Sequence, residues 1–122
     1  MILKGIPLVF SVCKVTDYDG VDLTKPFVFT GCTDDEKSLV CPTDLVPQNT
    51  VMREDGWRAF RVEGVLDFSL IGILSNIFSC LASHHIGIFA ISTFNTDYIF
   101  TKSENFDRAL QMLGKIGYTI LP

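Results

Sequence analysis

Between Asp67 and Lys102 the chain carries one formally charged residue, Asp97. A segment so poor in charge has to be buried, in protein or in lipid. Lipid is excluded by its make-up. Residues 68–82 include Ser69, Gly72, Ser75, Asn76 and Ser79, which makes the run too short and too polar for a bilayer. The segment must therefore supply the core of a folded unit.

Its periodicity says which elements it forms. Asp67 reads as a helix N-cap whose carboxylate accepts a backbone N–H. Leu66 before it and Ile71 after it are spaced for a hydrophobic staple. The helix is expected from Phe68 to His84, with Phe68, Ile71, Leu74, Phe78 and Leu81 on its apolar side. Ser69, Gly72, Ser75 or Asn76, Ser79, and Ala82 or Ser83 form a stripe of small side chains on another face. Two readings fit the stripe: a thinly solvated face, or close packing against another element or subunit.

Residues 86–93, IGIFAIST, read as an almost wholly apolar strand, expected at the centre of a sheet. Phe94, Asn95 and Thr96 form a turn, and a return strand starts at Asp97. Ser103 is placed to cap a second helix, with Glu104 favourable in its first turn. Phe106, Ala109, Leu110 and Leu113 give that helix one apolar face, and Gly117 follows its end. YTILP closes the chain as a strand. With GWRAFRVEG (residues 56–64) as the opening strand, residues 56–122 read β-α-β-β-α-β. This is an α+β, ferredoxin-like arrangement.

Residues 1–55 repeat the plan in reduced form. Strands are expected over 6–15, 27–33 and 38–41, with turns at 17–26 and 34–37. The two prolines of PTDLVP (residues 42–47) limit that segment to a short helical turn. Lys4 and the apolar residues after it loosely imitate a secretory signal, but Gly5, Pro7 and the alternation of Val9, Ser11 and Cys13 fit a strand.

Charge and cysteine usage narrow the function classes. Net charge is −4 and no basic run exists, so neither a nucleic-acid footprint nor an anionic-membrane footprint is present. Cys13, Cys32, Cys41 and Cys80 form no C-x-x-C pair and sit in or beside apolar runs. They read as free thiols of a cytoplasmic protein.

Catalytic and metal motifs fail one by one. DYDGVD starts like a calcium loop, but Asp22 and Val28 occupy the positions that need Gly and Glu. His84 and His85 are adjacent and point about 100° apart on a helix, so they cannot share one ion as an i, i+4 pair does. No motif supports a cysteine nucleophile, and no glycine-rich loop opens a helix. Asp97 remains. One reading makes it a turn residue bonded to nearby backbone. The other makes it a ligand group. Thr93, Asn95, Thr96 and Asp97 together offer hydroxyl, amide and carboxylate beside the Phe94 ring, which suits the amine of a small zwitterion. The helix start after Asp67 suits its carboxylate.

GWRAFRVEGVLDFSLIGILSNI, followed by LASHHIGIFAISTFNTDYIF and a second helix, resembles the ACT-domain family. The resemblance is to small bacterial ACT proteins and to one half of the CASTOR-type arginine sensors, through the segment I-S-T-[FY]-x-[TF]-D. FVFTGCTDDEKSLVC resembles their preceding half-domain. The resemblance implies tandem ACT units, a reduced one over 1–55 and a complete one over 56–122. It implies a homodimer and a regulatory, non-enzymatic role that needs no cofactor. An amino acid is held at an interface between units, and the output passes to a protein partner. Carried over, the site comprises Thr93, Phe94 and Asp97 with the adjoining Asn95 and Thr96. The segment from Asp67 to Ile73 (Asp67, Phe68, Ser69, Gly72 and Ile73) joins them, with Gly87 and Ile88 from a facing unit. Leu70 stands where the arginine sensors have an acidic residue, so a second carboxylate for a guanidinium is missing.

Overall fold

The computed structural model describes residues 1–64 and 72–122. Among the described residues, seven strands, two α-helices and one 3₁₀ turn follow in chain order. They form two compact units: Met1–Pro7 with Arg58–Pro122, and Leu8–Trp57. The first seven residues, expected with the first half, thus pack with the second.

In the larger unit, β4 (Thr50–Val62, from Arg58 on), α1 (Ile73–Ser83), β5 (Ile88–Ser92), β6 (Asp97–Lys102), α2 (Ser103–Lys115) and β7 (Thr119–Leu121) follow the expected β-α-β-β-α-β order. The α+β, ferredoxin-like reading therefore holds. The start of β1 (Ile2–Val15) adds a strand to that plan. β7 pairs with β1 in parallel, Ile2 opposite Thr119 and Lys4 opposite Leu121. The sheet of this unit runs β7-β1-β4-β6-β5.

Alternation along the strands sends Phe60, Val62 and Ile99 to the face that the helices cover. There they meet Leu3, Ile77, Leu81, Ile86, Phe106, Ala109 and Leu113. Fully burying one such side chain contributes about 1.5–3 kcal/mol. β5 is the end strand of the sheet rather than a central one. Its apolar character comes from two half-buried faces. Ile88 and Ala90 pack against the helix-side core, while Phe89 stacks on Phe100 across the ladder with ring centroids 4.7 Å apart.

The helices depart from expectation in their details. α1 begins at Ile73, because Gly72 takes the left-handed backbone conformation (φ 87°) just before it. The cap at Asp67, the staple of Leu66 and Ile71, and helical residues 68–71 lie outside the described residues. Ile77 and Leu81 are the buried residues of α1, while Phe78 is 37% exposed. The small residues Ser75, Asn76, Ser79, Ala82 and Ser83 are all exposed. On α2, Lys102 rather than Ser103 is the N-cap, and its extended backbone makes Ser103 the first helical residue.

Both helices end in the same hydrogen-bond pattern. Tyr118 N–H reaches Leu113 C=O and Gly117 N–H reaches Gly114 C=O; Gly117 has φ 114°. This is the Schellman arrangement, in which a left-handed residue lets the last carbonyls find donors. α1 repeats it with Ile86 to Leu81 and His85 to Ala82. Here the left-handed position holds His85 at φ 59°, where a side chain is strained.

In the smaller unit, β3 (Lys37–Pro42) lies between β2 (Phe29–Cys32) and β1, antiparallel to both. The 3₁₀ turn Thr43–Leu45 lies between the two prolines. Cys13, Val15, Leu39 and Cys41 form a core covered by Tyr18, Val21, Val28, Leu45 and Val46. Burial pushes the Cys13 thiol up, and that of Cys41 to about 11. All four cysteines are free. Buried thiols held protonated are poor nucleophiles.

Candidate functional site

The β5–β6 turn is built by its threonines. Thr93 N–H and Thr93 Oγ1 both donate to the Thr96 carbonyl, each at 2.8 Å. Thr96 Oγ1 donates to the Val62 carbonyl at 2.6 Å and ties the turn to the end of β4. Both hydroxyls thus give their protons to the protein's own backbone. At the tip, Phe94 is 82% exposed, and Asn95 is exposed beside it.

Asp97 opens β6 on the helix-covered face, two residues before the core residue Ile99. It is half-buried and pairs across the ladder with Ser92, whose Oγ donates to Asp97 Oδ1 at 2.5 Å. The bond ties one oxygen of the carboxylate to the neighbouring strand. Among the other expected site residues, Gly72 caps α1 and Ile73 packs against the core. Gly87 is exposed with open space where a Cβ would stand, and Ile88 is half-buried against the core. Asp67, Phe68 and Ser69 lie outside the described residues.

Thr93, Asn95 and Thr96 line a cleft of about 320 Å³ with Arg61, Glu63, Gly64 and Tyr98. Asp97 is not part of its lining, because its side chain alternates to the opposite face from Tyr98. Arg61 and Glu63 were not singled out from the sequence. The signal was present in RVE: period-two alternation sets both charges on the face opposite Phe60 and Val62. Arg61 Nε donates to Glu63 Oε2 at 3.0 Å, and Arg61 Nη1 donates to the Tyr98 hydroxyl at 3.1 Å. The guanidinium also lies 5.9 Å from the centre of the Tyr98 ring. The Arg61 hydrogen bond holds the Glu63 carboxyl below the usual carboxylate range, with Lys4 adding to the effect.

The remaining polar candidates serve local structure. His84 Nδ1 lies 2.9 Å from the Cys80 carbonyl, and Arg108 Nη2 donates to the His84 carbonyl at 2.8 Å. Both contacts satisfy the end of α1. In DYDGVD, Asp17 accepts from Asp19 N–H and Asn49 Nδ2, and Asp22 accepts from Thr24 N–H. These carboxylates brace a loop.

The model of the ACT domain matches residues 52–115, more than half of the sequence. The chain belongs to the ACT-domain family. The match runs from within β4 to the end of α2 and leaves out β1 and β7. Among solved structures, a protein from Agobacterium tumefaciens is 29% identical, with a TM-score of 0.83 over 98% of this chain and 90% of that one. A Vibrio cholerae protein of unknown function, a possible transport protein, is 19% identical at a TM-score of 0.75, over 91% of this chain and 85% of that one. The regulatory subunit of aspartate kinase from Thermus thermophilus, in a ligand-free form, is 9% identical at a TM-score of 0.64, over 94% and 96% of the two chains. The last two likenesses are of fold alone. No curated protein matches the sequence.

Proposed function

We propose that this ACT protein is a regulatory module without catalytic activity that binds a small molecule, an amino acid or a related zwitterion. The observation that carries the reading is the Ser92–Asp97 pair. A half-buried carboxylate, held by a hydroxyl at the turn end of a hairpin, suits a ligand ammonium group. Membership of the ACT family and the likeness in fold to a regulatory subunit support the same reading. Asp97, Thr93 and Phe94 are assigned to the site, joined by the segment from Asp67 to Ile73.

Within this proposal the ligand lies at an interface between ACT units, Gly87 and Ile88 come from a facing unit, and Leu8–Trp57 acts as a reduced ACT-like unit. A homodimer is part of the reading. Its support is β5, an apolar strand at the end of its sheet. The module is placed in the cytoplasm and passes its output to a protein partner. Regulation requires that the ligand bind one conformation or assembly better than another.

Calorimetry against the twenty amino acids tests the proposal. Binding that Asp97→Ala abolishes while the fold persists supports it. No heat from any of them at millimolar concentration overturns it. A second reading, an interaction module without ligand, is favoured by the local use of Asp97 as a turn residue bonded to Ser92. It expects Asp97→Ala to change stability only.

A further inference from the structure

Cys13 and Cys41 lie on one face of the β1–β3 ladder. Cys41 stands opposite Ser11 and Cys13 opposite Leu39, so the two thiols are diagonal neighbours on that face. They share the core of the smaller unit and are 4% and 1% exposed. We propose that this pair is a two-coordinate site for a soft monovalent metal ion of the copper(I) class, held between the two sulfurs.

Spacing selects among the bridges that two thiols can form. A disulfide needs Cβ atoms about 3.5–4.5 Å apart. Diagonal neighbours on an antiparallel ladder stand about 7–8 Å apart, somewhat less at Cβ. A direct sulfur–sulfur bond is short for that span, and both cysteines are free. Two metal–sulfur bonds in line, each about 2.3 Å as for zinc, make a longer bridge.

Ligand type and number narrow the metal. Thiolates select soft ions. A structural zinc site takes four ligands, and among the described residues no group of three or more His, Cys, Asp or Glu is placed to hold an ion. Val15, Leu39, Leu45 and Val46, packed in the same core, offer no further donor. Coordination by two thiolates alone is what this environment leaves.

A counter-charge is already in place. Binding releases two S–H protons, takes up one monovalent cation and leaves the bis-thiolate with one negative charge. The Arg53 guanidinium acts on both thiols in the sense that favours thiolate, and Asp55 opposes it at Cys13 with the smaller effect. Arg53 is also held in position. Its Nε donates to Asp55 at 2.8 Å, Asp55 accepts from Ser11, and Thr43 donates to Ser11 at 2.9 Å. This relay fixes a cation beside two otherwise neutral sulfurs. The side chains of Arg53 and Asp55 are 39% and 52% exposed, so the relay reaches from the thiols to solvent.

The test is anaerobic titration of the full, reduced chain with copper(I) against a colorimetric chelator, and with silver(I) as a redox-inert probe. The expected result is one tightly bound ion per chain, with two sulfur neighbours by X-ray absorption. Cys13→Ala and Cys41→Ala, with folds checked by circular dichroism, should each lose tight binding. Arg53→Gln should weaken it several-fold, and Arg53→Lys should recover most of that loss. A chain carrying both Cys32→Ser and Cys80→Ser keeps the core thiols untouched and should bind as wild type does. That chain decides the matter even where a core variant fails to fold. If it no longer binds, the ion sits on Cys32 or Cys80 and the proposal is overturned. Absence of tight binding to wild type overturns it as well. So does a Cys13–Cys41 disulfide formed in the folded chain on mild oxidation with oxidised glutathione, since the span would then suit a direct bond. None of these outcomes bears on the Asp97 reading.

Discussion

Ser92 and Asp97 face each other on the first rung of the β5–β6 ladder, and the serine hydroxyl donates to the carboxylate at 2.5 Å. The bond makes one oxygen of Asp97 part of the hairpin and leaves the orientation of the group fixed. Ser92→Ala removes the brace without removing the charge. If Asp97 is a ligand contact, this variant should bind amino acid several-fold more weakly than wild type, and Asp97→Ala should not bind at all. Equal affinity in Ser92→Ala and wild type would show that the brace does not position the carboxylate.

The Thr96 hydroxyl is the tie between the turn and β4. Thr96→Val removes the buried hydroxyl that bonds the Val62 carbonyl, at a cost of about 1–3 kcal/mol. Thr96→Ser keeps the bond and should lose much less. Urea titrations of the two variants give the comparison directly.

His85 occupies a left-handed backbone position with an exposed side chain. Glycine relieves the strain there, and only part of the gain is offset by its greater freedom in the unfolded chain. His85→Gly should therefore stabilise the protein, by roughly 0.5–1 kcal/mol. A lower denaturation midpoint in this variant would contradict the role given to His85 at the end of α1.

Adjacent residues on α1 should behave oppositely. Ile77 is fully buried and Phe78 is 37% exposed. Ile77→Ala should cost about 2–5 kcal/mol, and Phe78→Ala should cost well under that despite the larger side chain. The order would reverse if Phe78 faced the core.

Alkaline pH should weaken the smaller unit through its thiols. Burial raises the Cys41 pKa to about 11, and that of Cys13 in the same direction. The unfolded chain releases these protons first, so stability is full below the ordinary thiol range and falls as pH rises toward about 11. The difference between wild type and Cys41→Ala isolates the effect. Their denaturation midpoints should converge as pH rises from 8 to 10.5, and a constant gap would refute it.

The order of elements was legible because charge, periodicity and turn residues agreed from Arg58 to Leu121. Three features were not. The place of β5 in the sheet was misjudged because an apolar strand can owe its composition to helix packing on one side and ring stacking on the other, without a neighbour beyond it. The helix face was misjudged at Ile77 and Phe78, which are adjacent and equally apolar. Periodicity alone cannot then decide which one points inward. The cleft was missed because Arg61 and Glu63 look like an ordinary solvated pair until the fold brings the β5–β6 turn beside them. Asp97 stood out by contrast with its surroundings, which is a property of sequence.

The parallel pairing of Ile2–Lys4 with Thr119–Leu121 has a kinetic consequence. The larger unit pairs Ile2 with Thr119, so β7 docks on β1 only after all the residues between them have been synthesised. Closing so long a loop must be paid in entropy before the contacts reward it. During translation β1 has already emerged when β4 appears, and the two can pair at once. The edge that stays open is that of β1 at Ile2–Lys4, which has no strand beside it until β7 is made.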